Sequence, residues 1–272
     1  VEIEMNTNEL SVVTWKELGD DGIDQIYAIE KQTWAPWLAA GHDSLAGRAV
    51  VNPLGQLAVV DGGGVVLASL STNQIEWSGA VDELPSWDDV AGDPTDYSQT
   101  YVPEGNTTVL MSMNVHPEAQ GQKLPAQLVK TVCAQAAQSP SVQRVIGSFR
   151  PSEFALATKQ NPELDFADYV ATVRHDGLPV DKWLRVLTRM GMEQLAVDDT
   201  AMKVYLGSSE MEQLRTSQEQ ATGEPWIKLR THGPGSKYWC GETGFFYDLR
   251  KGGQVYIESN VWGMLWQRGD DE

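Results

Sequence analysis

The segment 107–149 constrains the fold more than any other part of the chain. An apolar run, Thr107 through Val115 (TTVLMSMNV), ends in a polar turn. Leu128, Val129, Val132, Cys133 and Ala136 then recur at helical spacing over 126–138, and a second apolar run covers 144–149. The unbroken apolar centre of the first run fits a strand buried on both faces. Strand, turn, helix and strand in this order predict a parallel pair joined by a helix. The chain is therefore expected to be α/β, with a sheet covered by helices.

The flanking sequence extends this pattern. A strand is expected over 10–18, and a helix over 23–34 with Asp20 and Asp21 as capping candidates. A short helix over 42–50 is stopped by Asn52-Pro53, and strands over 56–60 and 65–71 meet at the turn Asp61-Gly62-Gly63-Gly64. Residues 77–105 interrupt the regularity with seven acidic side chains, three Pro and no Lys or Arg. This reads as a surface insertion, with Trp77, Trp87, Tyr97 and Tyr101 folding it back onto the protein. Helices are expected over 165–175 and 180–190, the second ended by Gly191, and a strand over 201–206. Residues 1–208 then form a core, and 209–272 a C-terminal extension that packs on it. The extension holds a helix over 210–218, a Gly-rich loop at 233–236, and a hairpin of 245–249 and 254–258 joined by Arg250-Lys251-Gly252-Gly253.

Charge removes whole classes of partner. With 38 acidic and 20 basic residues the formal charge is −18, which repels nucleic-acid phosphates and anionic lipid. No nucleic-acid or membrane partner is expected on that ground, and no apolar run reaches the ~18–20 residues of a membrane span. Val1-Glu2-Ile3-Glu4 lacks the basic and then apolar pattern of a secretory signal, and a cytoplasmic location is expected. Cys133 and Cys240 lie far apart, and the four His show no ligand spacing, so no metal is expected.

The polar turn carries the chemistry. Met113-Asn114-Val115-His116-Pro117-Glu118-Ala119-Gln120-Gly121-Gln122-Lys123-Leu124-Pro125-Ala126 runs from a buried strand into the start of a helix. Free N–H groups and the positive end of the helix dipole at such a start bind phosphate without a cationic side chain. Here the chain resembles the GNAT superfamily of acyltransferases. In that family Val-x-Pro closes the fourth strand, and a loop of the form Arg/Gln-x-x-Gly-x-Gly/Ala leads into a helix. Val115-His116-Pro117 and Gln120-Gly121 match, and the order of strands and helices matches over roughly 10–206. The resemblance implies a mixed central sheet with splayed parallel strands flanked by helices, and acyl-CoA as co-substrate. Met113 and Val115 would pair with the pantetheine arm, and Gln120, Gly121, Gln122, Lys123, Leu124 and Ala126 would hold the pyrophosphate. Lys123 stands where the family has its second glycine, and Pro125 where it has Gly or Ala. Proline suits a helix start but removes a donor, for which the Lys123 charge compensates.

The family's tyrosine general acid corresponds to Leu187, which carries no proton. Thr188 is adjacent, about 100° round the helix; on the fourth strand Val109, Leu110, Met111 and Met113 offer no base, and Ser112 and Asn114 are the polar options there. Arg150 and Glu153 follow the fifth strand, where parallel strand ends splay and ligands bind. Ser112, Glu153 and Thr188 are therefore the candidate catalytic groups. Arg150 and Glu258 are the candidate substrate contacts, Glu258 alternating with Asn260 and Trp262 along the last strand. The expected reaction is acyl transfer from CoA to a small-molecule amine. Gly177-Leu178-Pro179-Val180-Asp181-Lys182-Trp183-Leu184-Arg185 is also similar to GNAT-like loading domains of polyketide synthases, whose helix has a histidine near the position of Leu187. That likeness leaves open S-acyl transfer, with or without decarboxylation, involving a carrier-protein phosphopantetheine. A non-catalytic binding protein of the same fold, and a homodimer, also stay open.

Overall fold

The computed structural model describes residues 10–223, 225–229 and 236–269. The N-terminal residues 1–4 and most of the Gly-rich segment 233–236 lie outside them. The chain forms two compact units, one of Val1–Gly147 with Met264–Glu272 and one of Ser148–Gly263.

The first unit opens with β1 (Ser11–Thr14) and α1 (Trp15–Thr33). The strand is shorter than the sequence suggests, because Thr14 and Glu17 form a reciprocal capping box that starts a helix at Trp15. Two bonds fix that corner: Glu17 accepts the Thr14 N–H (2.7 Å), and the Trp15 indole donates to the Leu57 carbonyl (2.8 Å). Gly19, at φ 66°, kinks α1 just before Asp20. Then come α2 (His42–Val51), β2 (Gln56–Val60) and β3 (Val66–Ile75). Ile23, Ile26 and Ile29 of α1 and Leu45 of α2 bury against Ala58, Val60 and Val66. Burying each such side chain stabilises by about 1.5–3 kcal/mol.

The insertion holds α3 (Trp87–Ala91) and a 3-10 turn at Tyr97–Gln99. It does fold back: Trp77 and Tyr97 are buried, and the Trp87 indole donates to the Met111 carbonyl (3.1 Å). β4 (Thr107–Val115), α4 (Leu124–Gln138) and β5 (Arg144–Phe149) complete the strand–helix–strand unit. Strands β1, β2, β3 and β4 pair antiparallel, and β4 with β5 parallel, so the sheet is mixed. At the C-terminal end of α4 the Arg268 guanidinium donates to the Ala136, Ser139 and Val142 carbonyls, satisfying groups a helix end leaves open.

The second unit holds α5 (Phe154–Gln160), α6 (Phe166–Ala171), α7 (Lys182–Arg189), β6 (Glu193–Leu206) and α8 (Ser208–Thr222). It continues with β7 (Ile227–Leu229), β8 (Lys237–Trp239), β9 (Phe245–Asp248) and β10 (Gln254–Gln267), whose last residues return to the first unit. β7, β8, β9 and β10 form an antiparallel run, and β6 pairs with β10. The expected hairpin is present as β9–β10. α6 stops short of the expected residue 175, because Arg174 and Gly177 make a turn and Val173 bridges Pro179. Gly191, at φ 94°, ends α7 as expected.

Candidate acyl-CoA site

β4 positions the site in the first unit. Ser71 lies opposite Ser112 but Thr72 opposite Leu110, so Met111 is an extra residue that bulges the strand. Parallel pairing of β4 with β5 runs from Thr107↔Arg144 to Leu110↔Gly147 and goes no further. Beyond the bulge the ladder with β3 is regular, and the His116 N–H donates to the Leu67 carbonyl (2.8 Å). Residues of an antiparallel ladder alternate between facing the partner strand and facing away. Counting back from His116, Asn114 and Ser112 turn their backbone groups toward β3. Met113 and Val115 turn theirs away, along the stretch of edge that the β5 register does not reach.

The loop after β4 leads to an α4 N-terminus that no side chain among the described residues caps. Gly121 has φ 83° with open space where a Cβ would sit. Lys123 has φ 61° and, among the described residues, is the non-glycine residue with positive φ. It therefore keeps a backbone shape that favours glycine, at a cost of about 1–2 kcal/mol for an L side chain. α4 begins at Leu124, two residues before the sequence expectation, so Pro125 is its second residue and not its first. A helix tolerates it there because that N–H has no partner in the helix. Gln120, Gly121, Gln122 and Lys123 lie on the surface or close to it, and Leu124 is buried. An uncapped helix start with exposed amides before it fits a pyrophosphate, and favours an anion by about 0.3–1 kcal/mol through the dipole alone.

The side chains of β4 split by face. Ser112 and Asn114 share a face with Gln56, Ala58, Ser69 and Ser71, as the cross-strand pairs Gln56↔Ser71↔Ser112 and Ala58↔Ser69↔Asn114 require. This is the face that α1 and α2 cover. Asn114 donates to Glu30 (2.5 Å) and accepts from the Thr33 hydroxyl (2.8 Å) and the Trp34 indole. The second Glu30 oxygen accepts the Ala40 N–H (2.9 Å). Burial raises the pKa of Glu30, and the Ala40 N–H, Arg48 and Asn114 offset that in part. Ser112 is half-buried, with no hydrogen-bond partner among the described residues. A recess of about 560 Å³ also opens in this unit, lined by Asn52, Thr72, Gln74, Tyr101, Thr108 and Gln135. It lies at the start of β4, away from Ser112, and holds none of the residues that the sequence points to.

In the second unit Arg150 and Glu258 come together as an ion pair of 2.7 Å. Arg150 also reaches Glu242 (2.9 Å) and the Tyr256 hydroxyl (3.2 Å), and Tyr256 donates to Glu258 (2.6 Å). Burial opposes the Arg150 charge, but Glu258, Tyr256 and Glu242 together hold its pKa above the ordinary value. Burial raises the pKa of Glu242, with Arg150 opposing. Glu242 and Tyr256 were not found from sequence; Tyr256 precedes Glu258 by two residues, so the strand alternation that singled out Glu258 also marks it. Glu153 accepts the Lys182 N–H (2.9 Å), and its own N–H donates to Asp181 (2.8 Å). Thr188 donates to the Leu184 carbonyl within α7 (2.8 Å), and Leu187 is fully buried. Burial pushes the Cys133 thiol up to about 11 and raises that of Cys240 further, so neither is a poised nucleophile.

Among the described residues no His, Cys, Asp or Glu cluster is placed to hold a metal ion, and no helix is long and apolar enough to cross a membrane. No protein-family model matches the chain, and no curated protein matches it significantly. Solved structures do. The loading GNATL domain of CurA from Lyngbya majuscula is 17% identical with a TM-score of 0.58, covering 70% of this chain and 87% of that one. The GphF GNAT-like decarboxylase in complex with isobutyryl-CoA is 18% identical with a TM-score of 0.56, covering 72% of this chain and 91% of that one. At such identity the likeness establishes architecture. The mixed sheet, the bulged β4 and the strand–loop–helix after it give this chain the GNAT fold.

Proposed function

We propose that the protein is an acyl-CoA-dependent acyltransferase whose acceptor is a small-molecule amine. The observation that carries this is the outward-facing backbone of Met113 and Val115 beside the uncapped start of α4. A pantetheine arm carries amides that can pair with such an edge as a strand would, while its pyrophosphate sits on the helix N-terminus. Gln120, Gly121, Gln122, Lys123, Leu124 and Ala126 hold the phosphates, with Lys123 supplying a point charge. The thioester supplies an activated acyl carbonyl. The amine nitrogen forms a bond to that carbonyl carbon, the carbon–sulfur bond breaks, and the amine proton passes by way of a protein group to the leaving thiolate. Ser112 is the first choice for that proton, because its hydroxyl has no partner among the described residues. Glu153 and Thr188 are kept as candidates, although both already serve helix hydrogen bonds. Arg150 and Glu258 are kept as candidate substrate contacts.

A second reading is acyl transfer involving a carrier-protein thiol, with or without decarboxylation. It is favoured by the likeness to a loading domain and to a decarboxylase. The buried Leu187, at the position where the resemblance to loading domains implies a histidine, weighs against it. Titration calorimetry with CoA, acetyl-CoA and longer acyl-CoAs tests both readings. Binding is expected, and Lys123→Ala should weaken it by about tenfold, the loss of one charge-assisted contact of roughly 1.4 kcal/mol. No binding of any CoA species would leave a non-catalytic GNAT-fold protein. Thiol release with an amine panel, set against acyl loading of a carrier protein, then separates the two reactions.

A further inference from the structure

Arg48 of α2 is the buried cation that the proposed reaction does not yet use. It is 7% exposed, yet its partners are the Ser71 hydroxyl, at 3.3 Å from one terminal nitrogen, and the face of the Tyr97 ring, at 5.6 Å. Its Nε–H is sealed from solvent and meets no acceptor among the described residues. A guanidinium offers five donors in a planar fork, and buried donors are nearly always satisfied in folded proteins. Glu30 feels the Arg48 charge, but the two make no contact ion pair. The two Glu30 oxygens accept from Ala40 and Asn114, and burial shifts Glu30 toward the neutral form. Below Arg48 the sheet is polar where a core would be apolar. Ser69 and Gln56 are buried, and each has a side-chain oxygen without a partner among the described residues. Ser71 lies between them on the same face, and Ser112 and Asn114 continue the row onto β4. The insertion meets this patch through Tyr97, whose ring lies against Arg48 and whose hydroxyl donates to the Thr72 carbonyl (2.6 Å).

We propose that this polar patch between α2 and the β2–β3–β4 face binds a carboxylate, and that the Arg48 guanidinium holds it. A planar fork matches a carboxylate in geometry as well as charge, and Ser71 and Ser69 bring hydroxyl donors beside it. The row Ser71–Ser112 ends on Ser112, the hydroxyl proposed above to pass the proton to the leaving thiolate, so the carboxylate belongs to a substrate. It is carried either by the acyl group or by the amine acceptor, and that step alone rests on the acyltransferase reading.

Calorimetry on the full chain separates the two sources. One arm compares malonyl-CoA and succinyl-CoA with acetyl-CoA and butyryl-CoA. The other uses CoA-loaded protein and compares an amino acid with its carboxamide. In one arm the carboxylate member is expected to bind at least tenfold tighter. Arg48→Met should abolish that preference and leave affinity for the neutral acyl-CoA unchanged; Ser71→Ala, a milder change, should reduce it. A CoA-independent readout is the Arg48 side-chain Nε–H resonance, followed by NMR while malonate and acetate are added. A saturable shift in the wild-type protein supports the site even if no CoA species binds. Equal affinities in both arms together with an unmoved resonance overturn it, even if acyl-CoA binds well. A preference that survives in folded Arg48→Met overturns the role of Arg48.

Discussion

Lys123 shows how one residue can change while the backbone does not. The sequence marks it as a departure from the GNAT loop, and that much is legible without coordinates. Only the structure reveals φ 61°, the conformation a glycine adopts without strain. Lys123→Gly should therefore stabilise the protein by about 1 kcal/mol, measured as a shift in the urea midpoint. A loss of stability would mean that the lysine makes compensating contacts. Arg48 is the converse case. Nothing in its neighbourhood, Ala46-Gly47-Arg48-Ala49-Val50, sets it apart, and its significance arises from Tyr97 and Ser71, which are distant in sequence.

At the scale of elements, periodicity located most helices and strands, and capping decided where they ended. The first strand stops at Thr14 because Thr14 and Glu17 satisfy each other's neighbouring N–H groups, which favours helix from Trp15 on. α7 depends on a similar device. Asp181, 1% exposed, accepts the N–H groups of Trp183, Leu184 and Glu153 and the hydroxyl of Tyr169. Asp181→Ala removes a helix cap and strands two further donors, so a loss of about 3 kcal/mol is expected. Denaturant unfolding of the variant measures it; a loss below about 0.5 kcal/mol, the size of an ordinary surface change, would refute the shared role. The sequence carried this signal, an acidic residue just before an apolar helical repeat, but not the contacts to Glu153 and Tyr169.

For the whole molecule, the charge of −18 is a property of composition with a tertiary consequence. Folding brings the acidic side chains closer together than they lie in the open chain, and they repel over a Debye length of roughly 10 Å at 0.1 M salt. Raising NaCl from low to high concentration should increase the melting temperature by about 2–4 °C, the shift that roughly 1 kcal/mol produces at this size. Scanning calorimetry across a salt series gives the answer, and a flat response would show the charge to be balanced locally. The same charge makes the interior cation at Arg48 conspicuous, since most of the molecule repels a carboxylate.

The sequence by itself determined the strand–loop–helix of residues 107–138 and hence the GNAT fold, because its signals are local. Helical spacing, an apolar strand and the polarity of a helix end act within a few residues. Tertiary structure alone decided the bulge at Met111, and with it which backbone groups of β4 face outward, since a register exists only between strands. It also decided which charges meet. Arg150 pairs with Glu258 and Glu242, and Arg48 lies against Ser71 and Tyr97, through contacts between residues far apart along the chain. Burial gives those contacts their strength by removing the water that would screen them, and burial is a property of the folded molecule.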